Sequence, residues 1–132
     1  MSISALSVAQ IRSLSTTAIQ SLSTTSIQSL TTTQVSAFTT TGIGALSSTQ
    51  FGDFSTTQVK ALATTQIPSI NSSVSFTSGQ LLVLSAQQLG VLATAQVATM
   101  ETTAIQSFSI TQIGGLSSTN LSSLDQTQAA AL

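Results

Sequence analysis

The chain reads as an all-α solenoid of very short capped helices, with a β-solenoid as the alternative. Three observations carry this reading. An eight-residue repeat runs almost from end to end, each repeat contains a helix-start pattern, and the apolar spacing suits no single helix or strand.

The repeat is clearest in Leu6-Ser7-Val8-Ala9-Gln10-Ile11-Arg12-Ser13, followed by LSTTAIQS, LSTTSIQS, LTTTQVSA, FTTTGIGA and LSSTQFGD. Leu or Phe stands at 6, 14, 22, 30, 38, 46, 54 and 62, and Ile, Val or Phe follows each by five positions. On one continuous helix eight residues turn about 800°, so an apolar stripe would slip roughly 80° per repeat. On one strand a spacing of five puts the two apolar residues on opposite faces. The unit must therefore bend within itself.

Its polar residues say where. Ser7 and Gln10 form a capping-box pattern: the hydroxyl accepts from the third helical amide, and the Gln side chain reaches back to the cap amide. Leu6 and Ile11 then fall at N′ and N4, the two positions that close as a hydrophobic staple. Most units carry Ser, Thr or Asp at the cap and Gln three places on. Each octad thus predicts a stub of one to two helical turns. Such a stub is unstable alone, so it must bury its Leu/Ile pair against stacked neighbours. About two stubs per coil is the simplest closed path.

Along the chain, residues 1–70 form an N-terminal octad array, with Ile3 marking a partial first unit. Residues 71–75 are a register-slip connector, and Phe76 lies only six positions after Ile70. Pro68 stops the preceding stub, and Val74-Ser75-Phe76 alternates, so a short extended crossover is expected near 68–76. Residues 76–132 form a second octad array, with Leu84, Leu92, Met100, Phe108, Leu116, Leu124 and Leu132 in step. Their N4 partners include Leu81, Val97, Ile113, Leu121 and finally Ala129.

Composition narrows the function classes. Only 4% of residues are charged, with a formal net charge of −1. Such a surface offers no electrostatic grip on nucleic acid or an anionic membrane. Glu101 and Asp125 stand at cap positions, where negative charge suits a helix start, while Arg12 and Lys60 stand late in their stubs. There is no His, Cys, Trp or Tyr. A Ser or Thr nucleophile would lack its usual base, and three dispersed acids form no pair for proton transfer. No enzymatic activity, metal or cofactor is expected, and a small-molecule ligand is not either. The start has neither the basic region nor the apolar core of a classical signal peptide. No apolar run approaches the about eighteen residues of a membrane span.

The opening L-[ST]-x-x-Q-[IV], as in Leu30-Thr31-Thr32-Thr33-Gln34-Val35, is similar to the opening of TAL-effector repeats. Those repeats are far longer and form basic DNA-binding arrays, so the period and charge here argue against that function. L-[ST]-T-x-Q-[IV]-x-[AS] also resembles octapeptide runs of large secreted bacterial repeat proteins, often described as adhesins. That resemblance spans nearly the whole chain and implies an extracellular or cell-surface location. It carries over no functional residue.

The expected function is a structural, self-assembling subunit of an extracellular bacterial filament or surface layer, polymerising head to tail with copies of itself. The alternative is an adhesive or ice-binding solenoid that presents the Thr pairs at 16–17, 24–25, 32–33 and 40–41. Neither end carries the charged polar cap that keeps solenoids apart. With a second copy laid after the first, the step from Leu132 to the next Leu6 is again six, like that from Ile70 to Phe76. Met1, Ile3, Leu6, Val74, Phe76, Ala129 and Leu132 are therefore the candidate assembly residues. If Leu and Ile face inward, Leu22→Asp or Ile27→Asp will abolish folding or assembly, whereas Gln20→Asp will be tolerated. Circular dichroism and sedimentation of the three variants check this, and equal damage from all three would reverse the inside and outside.

Overall fold

Every complete octad but 62–69, which ends in a 3-10 turn, forms an α-helix little longer than one turn. The Ile11 amide donates to the Ser7 carbonyl (2.9 Å), and the Leu14 amide closes the end on the Ile11 carbonyl (3.2 Å). At the start, the Ser7 hydroxyl accepts from the Gln10 amide while Gln10 Oε1 accepts from the Ser7 amide (2.8 Å). The same reciprocal cap recurs at Thr31, Ser47, Ser55, Thr77, Ser85, Ser109, Ser117 and Asp125. Glu101 is an exception: its side chain makes no cap bond, so only its charge favours that helix start.

The computed structural model describes residues 2–132. Among them the chain is all helical and without strands, and the helices occupy three sides of a solenoid. On the first side lie α1 (Val8–Arg12), α4 (Thr32–Ala37), α7 (Thr56–Lys60), α8 (Ser78–Leu82), α11 (Thr102–Gln106) and α14 (Gln126–Ala130). The second side holds α2 (Thr16–Gln20), α5 (Thr40–Gly44), a 3-10 turn Ile67–Ser69, α9 (Ala86–Gly90) and α12 (Ile110–Gly115). The third begins with a 3-10 turn Ile3–Ala5 and continues with α3 (Thr24–Ser29), α6 (Ser48–Gly52), α10 (Thr94–Ala98) and α13 (Ser118–Ser122). Each helix packs on the one three octads further along: α1 on α4, α4 on α7, α2 on α5, α10 on α13.

The coil is thus three octads around, not the two that the simplest closed path suggests. The corners explain it. Between stubs the chain passes through two extended residues, as at Leu30 (φ −62°, ψ 133°) and Thr31 (φ −76°, ψ 160°). Two stubs per coil would require a full reversal at each corner, and the two extended residues between stubs, all at negative φ, bend the chain less than that. Three gentler corners close the path with ordinary L-residue backbone.

The connector is one side of a coil rather than a linker. After the Ile67–Ser69 turn the Val74 amide closes on the Asn71 carbonyl (2.9 Å), and only residues 74–77 run without turn or helix, so the extended stretch is shorter than the crossover expected near 68–76. Val74 is buried, and Ser48 Oγ of the preceding coil donates to the Ser73 carbonyl (3.1 Å). Stacking therefore runs unbroken from one octad array into the other.

The core is a continuous apolar column of N′ and N4 residues, with Ile27, Val35, Ile43, Phe51, Val59 and Leu89 fully enclosed. The Thr pairs at 16–17, 24–25, 32–33 and 40–41 are exposed on the outside. Helices α9 and α12 approach most closely, because glycine lies between them. A Cβ on Gly90 would stand 2.7 Å from the Gly115 carbonyl oxygen, and one on Gly115 would stand 2.6 Å from Ala86 Cβ. Gly114, by contrast, faces open space. Gly115→Ala will cost about 1–3 kcal/mol by pushing the two backbones apart. Gly114→Ala will stabilise by about 0.5–1 kcal/mol through helix propensity. Urea midpoints of the two variants check this opposition of sign.

Candidate assembly surfaces

The corners that close each coil create a hydrogen-bonding problem. At an N′ residue such as Leu6 or Leu30 the carbonyl belongs to no helix and takes no backbone donor, yet it lies against the next coil. Leaving such a group dry and unpaired costs about 1–3 kcal/mol. The Gln three places after the cap supplies the donor. Gln34 Oε1 accepts from its own Thr31 amide (2.9 Å), while its Nε2 donates to the Leu6 carbonyl (2.8 Å) and the Ile3 carbonyl (3.0 Å) in the coil before.

The pattern repeats along the solenoid. Gln50 reaches Ile19 and Leu22, Gln58 reaches Ile27 and Leu30, and Gln66 reaches Val35 and Phe38, all at 2.8–3.0 Å. Gln128 ties the last coil to the Met100 carbonyl (2.8 Å). Asn120, one methylene shorter, still reaches the Leu92 carbonyl (2.9 Å). Gln96 is the exception. It stacks over the six-residue unit at 70–75, where no acceptor meets it, and its buried Nε2 has no partner.

The apolar residues have a direction too. Phe76, an N′ residue, sets its ring edge-on against Phe51, an N4 residue of the coil before (5.0 Å between centroids, 79° between planes). N′ side chains therefore seat toward the preceding coil and N4 side chains toward the following one. The first coil shows one half of this arrangement: Ile11, Ile19 and Ile27 are buried, but Leu6, Leu14 and Leu22 are only half-buried. The last coil shows the other half: Phe108 and Leu116 are buried, while Ile113 is half-buried and Leu121 is 41% exposed. Of the four large apolar residues exposed among those described, Ile110, Leu121 and Leu132 all lie in this last coil.

The residues expected to join subunits fall into distinct places. Leu6 sits half-buried at the first coil, and Ala129 and Leu132 are exposed at the last. Ile3 and Val74 are buried in the chain's own core, so neither presents a surface to a second copy. Phe76 is internal as well, seated on Phe51. Met1 lies outside the described residues. Sequence reasoning missed Gln10, Leu14, Ile113 and Leu121. The repeat register already marked them, since they hold N3, N′ and N4 positions in the first and last three units.

Elsewhere the surface is chemically plain. Among the described residues no cavity opens and no three metal-ligating side chains gather. Thr24 Oγ1 donates to Asp53 Oδ2 (2.8 Å) and Ser36 Oγ to the Ala61 carbonyl (2.7 Å), both between successive coils on the outer face. Among the described residues no helix is long and apolar enough to cross a membrane. No protein-family model, curated protein or solved structure matches the chain.

The ladder and its gap make opposite demands on one substitution. Gln58→Met will cost about 2–3 kcal/mol, because it leaves the Ile27 and Leu30 carbonyls buried without their side-chain donor. Gln96→Met removes an Nε2 that has no partner and loses only the bond from the Ala93 amide to Gln96 Oε1 (3.0 Å), so it will cost about 1 kcal/mol. Denaturant titration of the two variants checks the difference.

Proposed function

We propose that this protein is a structural, self-assembling subunit that polymerises head to tail with copies of itself, in an extracellular bacterial filament or surface layer. One observation carries the reading. The outward faces of the first and last coils leave Leu6, Leu14, Leu22, Ile113 and Leu121 partly exposed, at N′ and N4 positions that the interior coils bury everywhere but at half-buried Phe76. A surface with 4% charged residues adds little repulsion to keep copies apart. The octapeptide resemblance to secreted bacterial repeat proteins supports the extracellular setting. The exposed Thr rows support the second reading, a monomeric adhesive or ice-binding solenoid.

Light scattering and negative-stain microscopy over a concentration series test the proposal. Elongated particles should lengthen with concentration. Raising salt from about 0.05 to 1 M should not dissolve them, because the contacts are apolar and neutral. A monomer at every concentration would remove this reading, and ice shaping or glycan binding by that monomer would favour the second.

A further inference from the structure

The internal coil-to-coil contact contains a complete recipe for joining two molecules. It has a donor side, where N3 amides and N′ apolar side chains face the preceding coil. It also has an acceptor side, where N′ carbonyls and N4 side chains face the following coil. The first coil keeps its donor side open. Gln10 is exposed, its Oε1 accepts from Ser7, and its Nε2 has no partner among the described residues. The last coil keeps its acceptor side open, since the Phe108, Leu116 and Leu124 carbonyls receive no side-chain amide among the described residues.

The ramp of the solenoid selects one rotational setting from three. At its start the Ile3–Ala5 turn already lies against α3 on the third side, so the open layer there is this turn, α1 and α2. At its finish α14 lies over α11, so the open layer is α12, α13 and α14. Continuing the ramp sets the Ile3–Ala5 turn of the second molecule over α12, its α1 over α13 and its α2 over α14. We propose that a second copy of this chain docks in that setting. Its Leu6 seats on Ile113, its Leu14 on Leu121, and its Gln10 Nε2 donates to the Leu116 carbonyl.

This deepens the head-to-tail reading above and rests on it. The pairings copy internal ones: Leu6 and Leu14 take the place of Phe76 over Phe51, and Gln10 that of Gln34 over Leu6. The contact is heterologous, so each added copy leaves the same two surfaces open and growth does not close. Polarity follows as well, because donor meets acceptor only when all molecules point one way.

Gln10→Glu is the most selective probe. A Glu at this position keeps the capping box and suits the helix start, so the monomer should melt as before. It replaces the only donor of the joint with an acceptor facing a carbonyl, so the concentration needed for assembly should rise about ten-fold or more. Gln20→Glu, on the exposed outer side, should leave it unchanged. A second test uses two half-blocked molecules. Leu14→Asp spoils only the donor side and Leu121→Asp only the acceptor side. Each alone should stay monomeric, and an equimolar mixture should give dimers and nothing larger by analytical ultracentrifugation. If the unaltered chain assembles but Gln10→Glu behaves like Gln20→Glu, this joint is wrong while self-assembly stands. Dimers from either half-blocked variant alone, or none from the mixture, overturn it equally. An unaltered chain that never assembles removes the broader reading together with this one.

Discussion

The side chain at the third helical position does two jobs, and the solenoid depends on their coincidence. One end of the Gln amide satisfies the backbone of its own helix start, and the other satisfies a carbonyl one coil away. A five-residue helix leaves most of its polar backbone groups without an intrahelical partner. Stacking would be costly if those groups were buried unpaired. A single primary amide, with acceptor and donor on one carbon, converts two such costs into bonds. Glu would keep the first bond and lose the second. Gln is therefore the residue that joins local capping to tertiary stacking.

The same economy explains how so little charge suffices. With neutral amides and hydroxyls meeting backbone groups, the coils are held by short hydrogen bonds and a dry apolar column rather than by ion pairs. Such contacts lose little to salt, and they follow one pattern from coil to coil, with local departures such as Gln96 and Asn120. That repetition has a consequence for association. A surface that recognises the next coil of its own chain also recognises the same coil of another molecule, unless something covers it or repels it. Half-buried Leu14 at one end and Leu121 at the other are neither charged nor covered.

Departures from the repeat are instructive for the same reason. Where the unit shrinks to six residues, the chain still completes a side, since Val74 fills the column that an N4 residue would fill. The polar ladder is less forgiving than the apolar column, and Gln96 loses its acceptor there. An apolar contact tolerates a shift because it has no direction, whereas a hydrogen bond to a displaced carbonyl is lost within a fraction of an ångström. Between α9 and α12 the departure runs the other way. Gly90 and Gly115 remove side chains so that backbone meets backbone.

By itself, the sequence determined most of what lies within one octad. Helix starts at Ser7, Thr31 or Asp125 and the apolar character of the N′ and N4 positions follow from contacts three to five residues apart. Local chemistry decides these wherever the unit sits. Tertiary structure alone decided how many octads make a coil, because that number depends on the angle at each corner and on which carbonyls the Gln amides can reach some 28 residues back. It also decided that Ile3 and Val74 belong to the core while Leu14 and Leu121 border open coil faces. All four occupy similar positions in the sequence pattern, and only stacking determines whether a neighbour covers them.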